Sequence, residues 1–276
     1  MRRTACFALT ALLTVPACRV ENDEPLTAAE AAQALDELSI ASQASTLAGS
    51  SVELSTNFTI GQAAEAAADE LRTFIETQLP CAEITLADRT LSVEYGARPG
   101  SCTYNGNTYS GTHSITVDSA ERGSLQVSHT WTDMSNGRVS VEGTATVTWG
   151  FDDGLTRRVE HELNWTRTFD GKTGTGRGDR LQRTLDGGLL EGIAIDGNRS
   201  WEGSRGEWDL EIAGVEARWI DPVPQAGAYT LTTPNDKRVS VSFERLDEDT
   251  ITVTLAGSGD RSFSFDVSRL GLVEES

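Results

Sequence analysis

From Cys81 to the C-terminus, polar and apolar residues alternate with a period of two, and short turns rich in Gly, Asn and Asp interrupt the alternation. In the stretch 91–95 every second residue is apolar, and Asn105-Gly106 is a strong tight-turn signal. This period places alternate side chains on opposite faces of a strand. Because successive strands joined by short turns run antiparallel, the pattern predicts a mainly β fold.

We expect an antiparallel meander of about 13 strands, as a curled sheet or a two-layer sandwich, because so many strands do not stay in one flat sheet. An N-terminal helical hairpin is expected before it. A capping-box pattern at 27–30 opens a helix that we expect to end near Leu47, because Gly49 follows. A second capping-box pattern at 59–62 opens a helix that runs to Leu79.

The first 17 residues have the features of a signal peptide, with two arginines before an apolar run that is too short to span a bilayer. The run ends at Ala17-Cys18, which resembles a bacterial lipobox, and in that family Cys18 would be lipidated and become the mature N-terminus. The alternative is ordinary cleavage near Ala17 without lipidation. The predicted organisation is a signal peptide at 1–17, a lipid-anchored tether at 18–26, the helical hairpin packed on the sheet at 27–80 and the β domain at 81–276, with one candidate seam at 222–226.

Two cysteines remain once Cys6 is removed with the signal peptide and Cys18 is lipidated. In an exported protein, Cys81 and Cys102 most simply form a disulfide. On the chain-entropy account, closing a loop of this length stabilises the fold by about 3 kcal/mol. Metal ligation is the alternative, but no second Cys or His pair lies nearby at ligand spacing.

The order of features around the two cysteines resembles exported β-rich lipoproteins of Gram-negative bacteria, a group of uncharacterised function. The shared features are Cys81, a strand ending at Tyr95-Gly96, Cys102, the Asn105-Gly106 turn and the strand from Tyr109 to Thr112. The resemblance implies a lipid-anchored protein of the cell envelope, and it brings no activity with it. In the lipobox family, Arg19 rather than Asp after the cysteine resembles the outer-membrane sorting signal.

Charge and motifs exclude several classes of function. The chain carries 42 acidic against 23 basic residues, a net charge of −19, so we exclude a nucleic-acid partner. No nucleophile-elbow, phosphate-loop, zinc-protease or dinucleotide motif is present, and we assign no catalytic residue, cofactor or metal ligand. The acidic turns at 152–154 and 247–249 could hold calcium, but neither has EF-hand spacing, and solvated turns explain them more simply.

Register arithmetic gives one candidate ligand face. Loops at 135–137 and 152–154 place Trp131 and Trp165 both opposite Val141. A turn centred on Glu121 places His113 opposite His129, and the same arithmetic places His129 opposite Gly143. All three histidines then share one face.

A loop at 170–174 extends this face by placing Arg167 opposite Arg177, and Trp165 opposite Asp179. In a binding site, Trp would stack on the ligand while Arg, Asp and His would hydrogen-bond to it. A solvent-exposed or internally satisfied charge cluster is the alternative. The candidate ligand residues are Trp131, Trp165, Arg167, Arg177, Asp179, His129 and His161.

Three hypotheses about function follow. The first is a non-enzymatic structural or interaction lipoprotein with a protein partner, which a fully covered sheet face would favour. The second is a binding module for a carbohydrate or apolar ligand, which an open pocket lined by Trp131, Trp165 and Arg167 would favour. The third is a metal-dependent hydrolase that uses the three histidines. It requires their close convergence with a carboxylate, which we do not expect, because His129 and His161 are two strands apart.

Overall fold

The computed structural model describes residues 24–56, 58–104, 106–121, 123, 125–150, 156–186, 191–218, 221, 223–257, 261–268 and 273–275. The lipidation candidate Cys18 and the acidic turn at 152–154 lie outside these residues. The elements are α1 (Ala28–Leu54), α2 (Ala64–Gln78), β1 (Glu83–Ala87), β2 (Thr90–Tyr95), β3 (Thr103–Tyr104), β4 (Asn107–Thr108), β5 (Ser110–Ser119), β6 (Gln126–Ser135), β7 (Val139–Gly150), β8 (Thr156–Arg167), β9 (Thr173–Thr184), β10 (Ile193–Gly203), β11 (Gly206–Ala217), β12 (Ala226–Thr232), β13 (Arg238–Arg245), β14 (Thr250–Ala256), β15 (Ser262–Ser268) and β16 (Val273–Glu275).

The prediction of a mainly β, antiparallel meander is confirmed. One sheet of 14 strands contains every strand except the short β3–β4 pair, and its spatial order follows the chain order from β1 to β16. The sheet is not closed, because β1 and β16 form its two edges. Strand pairing continues from β11 to β12, so the sheet is not interrupted at the candidate seam.

Helix α1 lies along the inner face of the curled sheet, with buried residues on all of its sides. It begins with the predicted capping box, in which Thr27 and Glu30 bond reciprocally. The predicted end near Leu47 is wrong, because the helix continues to Leu54. Its burial against the sheet outweighs the weak helix propensity of the Gly-Ser-Ser stretch that follows Ala48.

Helix α2 packs on β1, β2 and β5, whereas α1 packs on β7 and β8. The predicted second capping box is wrong: α2 begins at Ala64, and its N-cap residue makes no side-chain cap. The backbone N–H of Thr59, which precedes the helix, instead donates to the carboxylate of Glu70 within α2 at 2.9 Å. Within the described residues, neither helix combines the length and hydrophobicity of a membrane-spanning segment.

The disulfide between Cys81 and Cys102 is present, with 5.3 Å between the two Cα atoms. Both cysteines are buried. The bridge fixes the chain that leaves α2 to the segment that precedes β3.

The predicted register between β7 and β8 is confirmed, since Val141 pairs with Trp165. The register between β6 and β7 is wrong, because Trp131 pairs with Gly143 and Met134 pairs with Val141. Two features cause the difference. The last pair before the turn is Ser135 with Ser140, so the turn lies later in the chain than the predicted loop at 135–137, and a bulge at Asp133, whose φ is 50°, adds a residue to β6.

The predicted register between β5 and β6 is also wrong, by two residues. His113 pairs with Trp131 and Ile115 pairs with His129, so the two histidines are diagonal neighbours instead of direct partners. The predicted pair of His129 with Gly143 is replaced by His129 with Ala145.

The observed register between β8 and β9 differs from the predicted register by an odd number of residues. The side chains of β9 that were expected beside Trp165 therefore lie on the opposite face of the sheet. Trp165 pairs with Gly174, and Arg177 pairs with Glu162. The loop is closed by the N–H of Arg167 donating to the carbonyl of Lys172 at 2.8 Å, so β9 begins earlier than the predicted loop allows.

Candidate functional site

The predicted ligand face is covered where its tryptophans lie. Trp131 and Trp165 are 2% and 7% exposed and pack on the inner face of the sheet, under α1. The indole N–H of Trp131 donates to Ser51 Oγ of α1 at 2.9 Å. The five tryptophans in the described part of the chain are all buried, so none of them offers an open platform for a sugar ring.

Arg167 is buried too, and carboxylates satisfy its charge. It donates to Asp36 of α1 at 2.7 Å and to Asp170 in the following turn at 2.9 Å. These bonds hold the pKa of Asp170 low, at about 2, and also lower the pKa of Asp36 against the opposing effect of burial. Arg167 therefore ties α1 to the β8–β9 turn.

Arg177 and Asp179 lie on the outer face, separated from the tryptophans by the sheet. They line an open surface hollow of about 410 Å³ together with Glu160 and Glu162. Arg158 already bonds Asp179 at 2.9 Å, and a solvated charge network explains this surface. The sequence prediction that these residues share the face of Trp165 is wrong, because the β8–β9 register shift is odd.

Two histidines form a fully buried hydrogen-bonded chain. Tyr95 Oη bonds His113 Nδ1 at 3.2 Å, His113 Nε2 bonds His129 Nδ1 at 2.9 Å, and His129 Nε2 bonds Ser55 Oγ at 3.2 Å. The Ser55 hydroxyl gives its proton to the carbonyl of Val52, so it accepts from His129. All three hydrogen bonds are then donated in the same direction, from Tyr95 toward Ser55, and each imidazole is neutral and protonated on Nε2.

The hydrogen-bonded pair of His113 and His129 does not resemble a metal centre. The facing nitrogens of His113 and His129 bond each other, so they do not converge on a shared ion. His161 pairs with Ala145 and Gly178 and makes no contact with this chain. Among the described residues, no group of three or more His, Cys, Asp and Glu side chains is arranged to hold a metal ion.

The serines of α1 receive further donors from the sheet. Tyr109 Oη donates to Ser50 Oγ at 3.0 Å, while Ser50 and Ser51 each donate to a carbonyl one turn earlier. Each of these serines therefore both donates and accepts. The C-terminal half of α1 is thus held by a satisfied polar network, which is a structural arrangement.

A different cluster, which the sequence did not predict, lies further along the inner face. We call it the arginine cluster; it consists of Arg180, Arg199, His161 and Tyr229. In one cross-strand row Arg180 pairs with Gly197. In the adjacent row Arg199 pairs with Gly178, whose other partner is His161.

Glycines make room for these side chains. A Cβ at Gly178 would lie 2.5 Å from His161 Cε1 and 2.9 Å from Arg199 Cγ. Arg199 and His161 therefore lie over Gly178, and no larger residue fits between them. The Arg180 row continues through Ile212 to Tyr229. Two arginines and two glycines thus alternate across β9 and β10.

The arginines of the cluster have no carboxylate partner among the described residues. Arg199 is 7% exposed and bonds only neutral groups of α1, the carbonyl of Ala41 and Ser42 Oγ, both at 3.3 Å. Arg180 is half-buried, and its Nε is buried without a hydrogen-bond partner. In contrast, the neighbouring Arg157 pairs with Glu53 of α1.

The electrostatics of the cluster reflect this imbalance. Burial, and then the charge of Arg199, lowers the pKa of Arg180 to about 9. Burial, and then the charges of Arg180 and Arg199, lowers the pKa of His161 to about 2. Burial raises the pKa of Tyr229 against the opposing effect of the two arginines. The cluster is a region of uncompensated positive charge in an acidic chain.

Unpartnered buried atoms concentrate in and beside the cluster. In the part of the chain that the structure describes, Arg72 Nε is the one such atom outside this region. The others belong to the cluster itself, to the neighbouring cross-strand row of Trp201 and Trp208, or to Ser45 of α1. They are Ser45 Oγ, His161 Nδ1, Arg180 Nε, Arg199 Nε, Trp201 Nε1 and Trp208 Nε1. Native proteins leave few such atoms, so this concentration marks the candidate site.

Comparison of the chain with protein-family models, with curated proteins and with solved structures finds no match. The candidate site is therefore inferred from the residues of this chain alone. The signal that could have revealed it is the series Gly174, Gly176 and Gly178, followed at the same spacing by Arg180. Glycines repeated at a period of two mark a face where large neighbours need space.

Proposed function

We propose that this protein is an exported, lipid-anchored protein of the cell envelope with a non-enzymatic binding role, and that its ligand lies between α1 and strands β8–β12. The observation that carries the proposal is that the buried Arg199 and the half-buried Arg180 have no carboxylate partner among the described residues, in a chain with 42 acidic residues. Other inner-face arginines of this sheet, Arg157 and Arg167, have acidic partners supplied by α1.

Physical cost gives the reason. Burying a charge without a partner is unfavourable, and replacing such a group with an apolar one is often stabilising. Residues that lower stability in this way are typical of sites that await a ligand. A purely structural interior would have gained from an apolar residue at position 180 or from a carboxylate on the facing turn of α1.

An enzymatic role has less support. All four imidazole nitrogens of His113 and His129 are used within the buried chain, and Tyr95 and Ser55 close its two ends. No nitrogen of that pair remains to take a proton from a substrate, as general base catalysis requires. A carbohydrate ligand has less support as well, because the described tryptophans are buried.

The lipid anchor rests on the sequence. Ala17-Cys18 ends the apolar run of the leader, and Leu26, eight residues after Cys18, is buried. Eight residues from Cys18 to Leu26 span at most about 28 Å when fully extended. A lipid on Cys18 would therefore hold the membrane surface close to the end of the sheet where Lys237 bonds Glu30.

A pair of arginine variants tests the binding role. We expect Arg180→Met to raise the free energy of unfolding of the ligand-free protein by about 1 kcal/mol or more, because it removes an uncompensated charge and retains apolar volume. The matched control is Arg167→Met, which removes an arginine of the same face that has two carboxylate partners. We expect this control to lower the free energy of unfolding. Urea denaturation of both variants beside the wild type measures the difference.

If Arg180→Met destabilised the protein as Arg167→Met does, Arg180 would be a structural residue. The proposed binding site would then lose its main support. Arg177→Met changes an exposed arginine on the outer face. If it stabilised the protein as much as Arg180→Met does, the effect would come from the overall charge, and the proposed binding site would again lose its main support.

A further inference from the structure

The unpartnered atoms around the arginine cluster share one chemical property. Nε of an arginine and Nε1 of a tryptophan can only donate hydrogen bonds. Arg180, Arg199, Trp201 and Trp208 supply four such atoms. The other two, on Ser45 and His161, can either donate or accept. The missing partner must therefore be rich in acceptors.

The charge leads to the same requirement. The groups that act electrostatically on Arg180 are Arg199 and Arg157, which are cationic, and Tyr229, a neutral phenol at ordinary pH. No carboxylate among the described residues lies within ion-pair distance of Arg180 or Arg199. A neutral acceptor would satisfy the hydrogen bonds but would leave two positive charges uncompensated in a buried region.

The geometry fits an oxyanion. Arg180 and Arg199 are diagonal neighbours on adjacent strands and on one face, each opposite a glycine. Side chains in this relation are within reach of one small group between them. Two guanidinium groups match the paired oxygens of a carboxylate or phosphate, which arginine binds in a bidentate manner.

Aromatic side chains lie beside the charged centre. Trp201 and Trp208 stack in the row beside Arg199, with ring centroids 6.2 Å apart. Tyr229 packs edge-on against Phe243 at 5.0 Å. These aromatic side chains give the region an apolar wall next to its charged centre, which is the usual composition of a small-molecule site. Arg180 is half-buried, so part of its side chain is exposed to solvent.

We infer that the ligand of this protein is a small oxyanion, whose carboxylate or phosphate group is held by Arg180 and Arg199 beside the indole N–H groups of Trp201 and Trp208. This inference rests on the proposed binding role and specifies the class of ligand. Arg199 is oriented by Ala41 and Ser42 of α1, whereas the Nε of Arg180 has no hydrogen-bond partner among the described residues.

Matched probes test the class of ligand on the purified full-length protein. Sodium benzoate and benzamide have nearly the same shape and differ in charge, and inorganic phosphate supplies an oxyanion without an apolar body. Sodium chloride at equal ionic strength is the reference. We expect benzoate at up to about 50 mM to raise the midpoint of thermal unfolding by about 2–4 °C, and benzamide to leave it unchanged. Phosphate that acts more strongly than benzoate would assign the site to a phosphate group, benzoate acting alone would assign it to a carboxylate, and equal effects would show that the site takes either oxyanion.

Two variants localise the effect. We expect Arg180→Met to abolish the response to benzoate, because it removes one of the two guanidinium groups. Arg177→Met, on the same strand but on the outer face, should retain the full response. Tryptophan fluorescence gives a second readout, since a ligand beside Trp201 and Trp208 should change their emission.

The outcomes separate the inference from the proposed function. If benzamide acts as strongly as benzoate, a ligand site exists but it does not select an oxyanion, and the inference is overturned alone. A benzoate response that persists in Arg180→Met places the anion elsewhere and also overturns it. If neither anion has an effect, the inference fails; the binding role fails with it only when Arg180→Met is also destabilising.

Discussion

Acidification from pH 7.0 to pH 5.5 is expected to destabilise this protein through its histidines. His113 and His129 are fully buried, and His161 is 8% exposed. Burial is the main cause that lowers each pKa: to about 3 for His129, to about 2 for His161, and well below the usual value for His113. Arg157 adds to this effect at His129, as Arg180 does at His161.

The hydrogen-bonded chain gives a structural reason beyond burial. In the neutral chain, His113 Nε2 donates to His129 Nδ1. A proton added to His129 Nδ1 would place two N–H groups against each other, and a proton added to His113 Nδ1 would meet the hydroxyl proton of Tyr95. Protonation of either imidazole therefore breaks a buried hydrogen bond as well as introducing a buried charge.

The sign and magnitude follow from linkage. A histidine whose pKa is lowered by folding contributes full stability above its unfolded pKa of about 6.5, and loses it as the pH falls toward the folded pKa. Between pH 7.0 and 5.5 each histidine contributes a loss of about 1.2 kcal/mol, so three independent histidines give about 3–4 kcal/mol. The carboxylates with lowered pKa, such as Asp36, lose stability only as the pH falls below about 4, outside this window.

Urea denaturation at the two pH values measures the loss. His161→Gln should reduce the pH-dependent loss by about one third, because His161 titrates apart from the chain of His113 and His129. Each variant is compared with itself at the two pH values, so any destabilisation by the substitution alone cancels. A wild-type free energy of unfolding that stays constant or rises between pH 7.0 and 5.5 would refute the assignment of these histidines as buried and neutral.

Three further predictions concern the anchor, the disulfide and the core. Cys18→Ser should release the protein from membranes into the soluble fraction, and retention of the variant on membranes after a high-salt wash would contradict lipidation. Cys81 and Cys102 should resist a thiol label in the unfolded, non-reduced protein, and reduction should lower the free energy of unfolding by about 3 kcal/mol. Trp165→Ala should cost about 3–5 kcal/mol in urea denaturation, because the indole is 7% exposed and packs over Gly174; a loss below about 1 kcal/mol would contradict a core role.

The sequence predicts the fold class of this protein well because a period of two is a local signal. Strands β7 and β8 show this, with 12 residues each and an unbroken ladder between them. Their register follows from the position of the turn alone. The signal is weaker in the first strand, Glu83–Ala87, because it has no fully buried residue.

Registers fail where the backbone departs from the ladder. The backbone of the bulge at Asp133 lies directly against Gly111 of the neighbouring strand. A Cβ at Gly111 would lie 2.2 Å from the Asp133 carbonyl oxygen. Only glycine at position 111 permits this approach. An asparagine-glycine turn is visible in a sequence, but a bulge formed by an aspartate in one strand and a glycine in another depends on a pairing that is not yet known.

The odd shift between β8 and β9 concealed the arginine cluster from sequence reasoning. With the predicted even register, Arg177 and Asp179 face inward, and Arg180 faces solvent, where an arginine needs no explanation. The shift reverses all three assignments. A polar residue becomes informative only once its face is known, so the candidate site could not have been found from the period alone.

The two halves of α1 explain why the cluster is more than an imperfect interior. In its C-terminal half, Ser50, Ser51 and Ser55 each accept a hydrogen bond from a donor of the sheet. Ser45, at the level of Arg199, receives none and makes none. The same helix, packed on the same sheet, thus satisfies the donors at one end and leaves them unsatisfied at the other. A chain with 42 acidic residues could place a carboxylate at position 45 by one substitution, and that change would offset one of the two positive charges. The open hydrogen-bonding capacity at this level of α1 is what the proposed oxyanion would use.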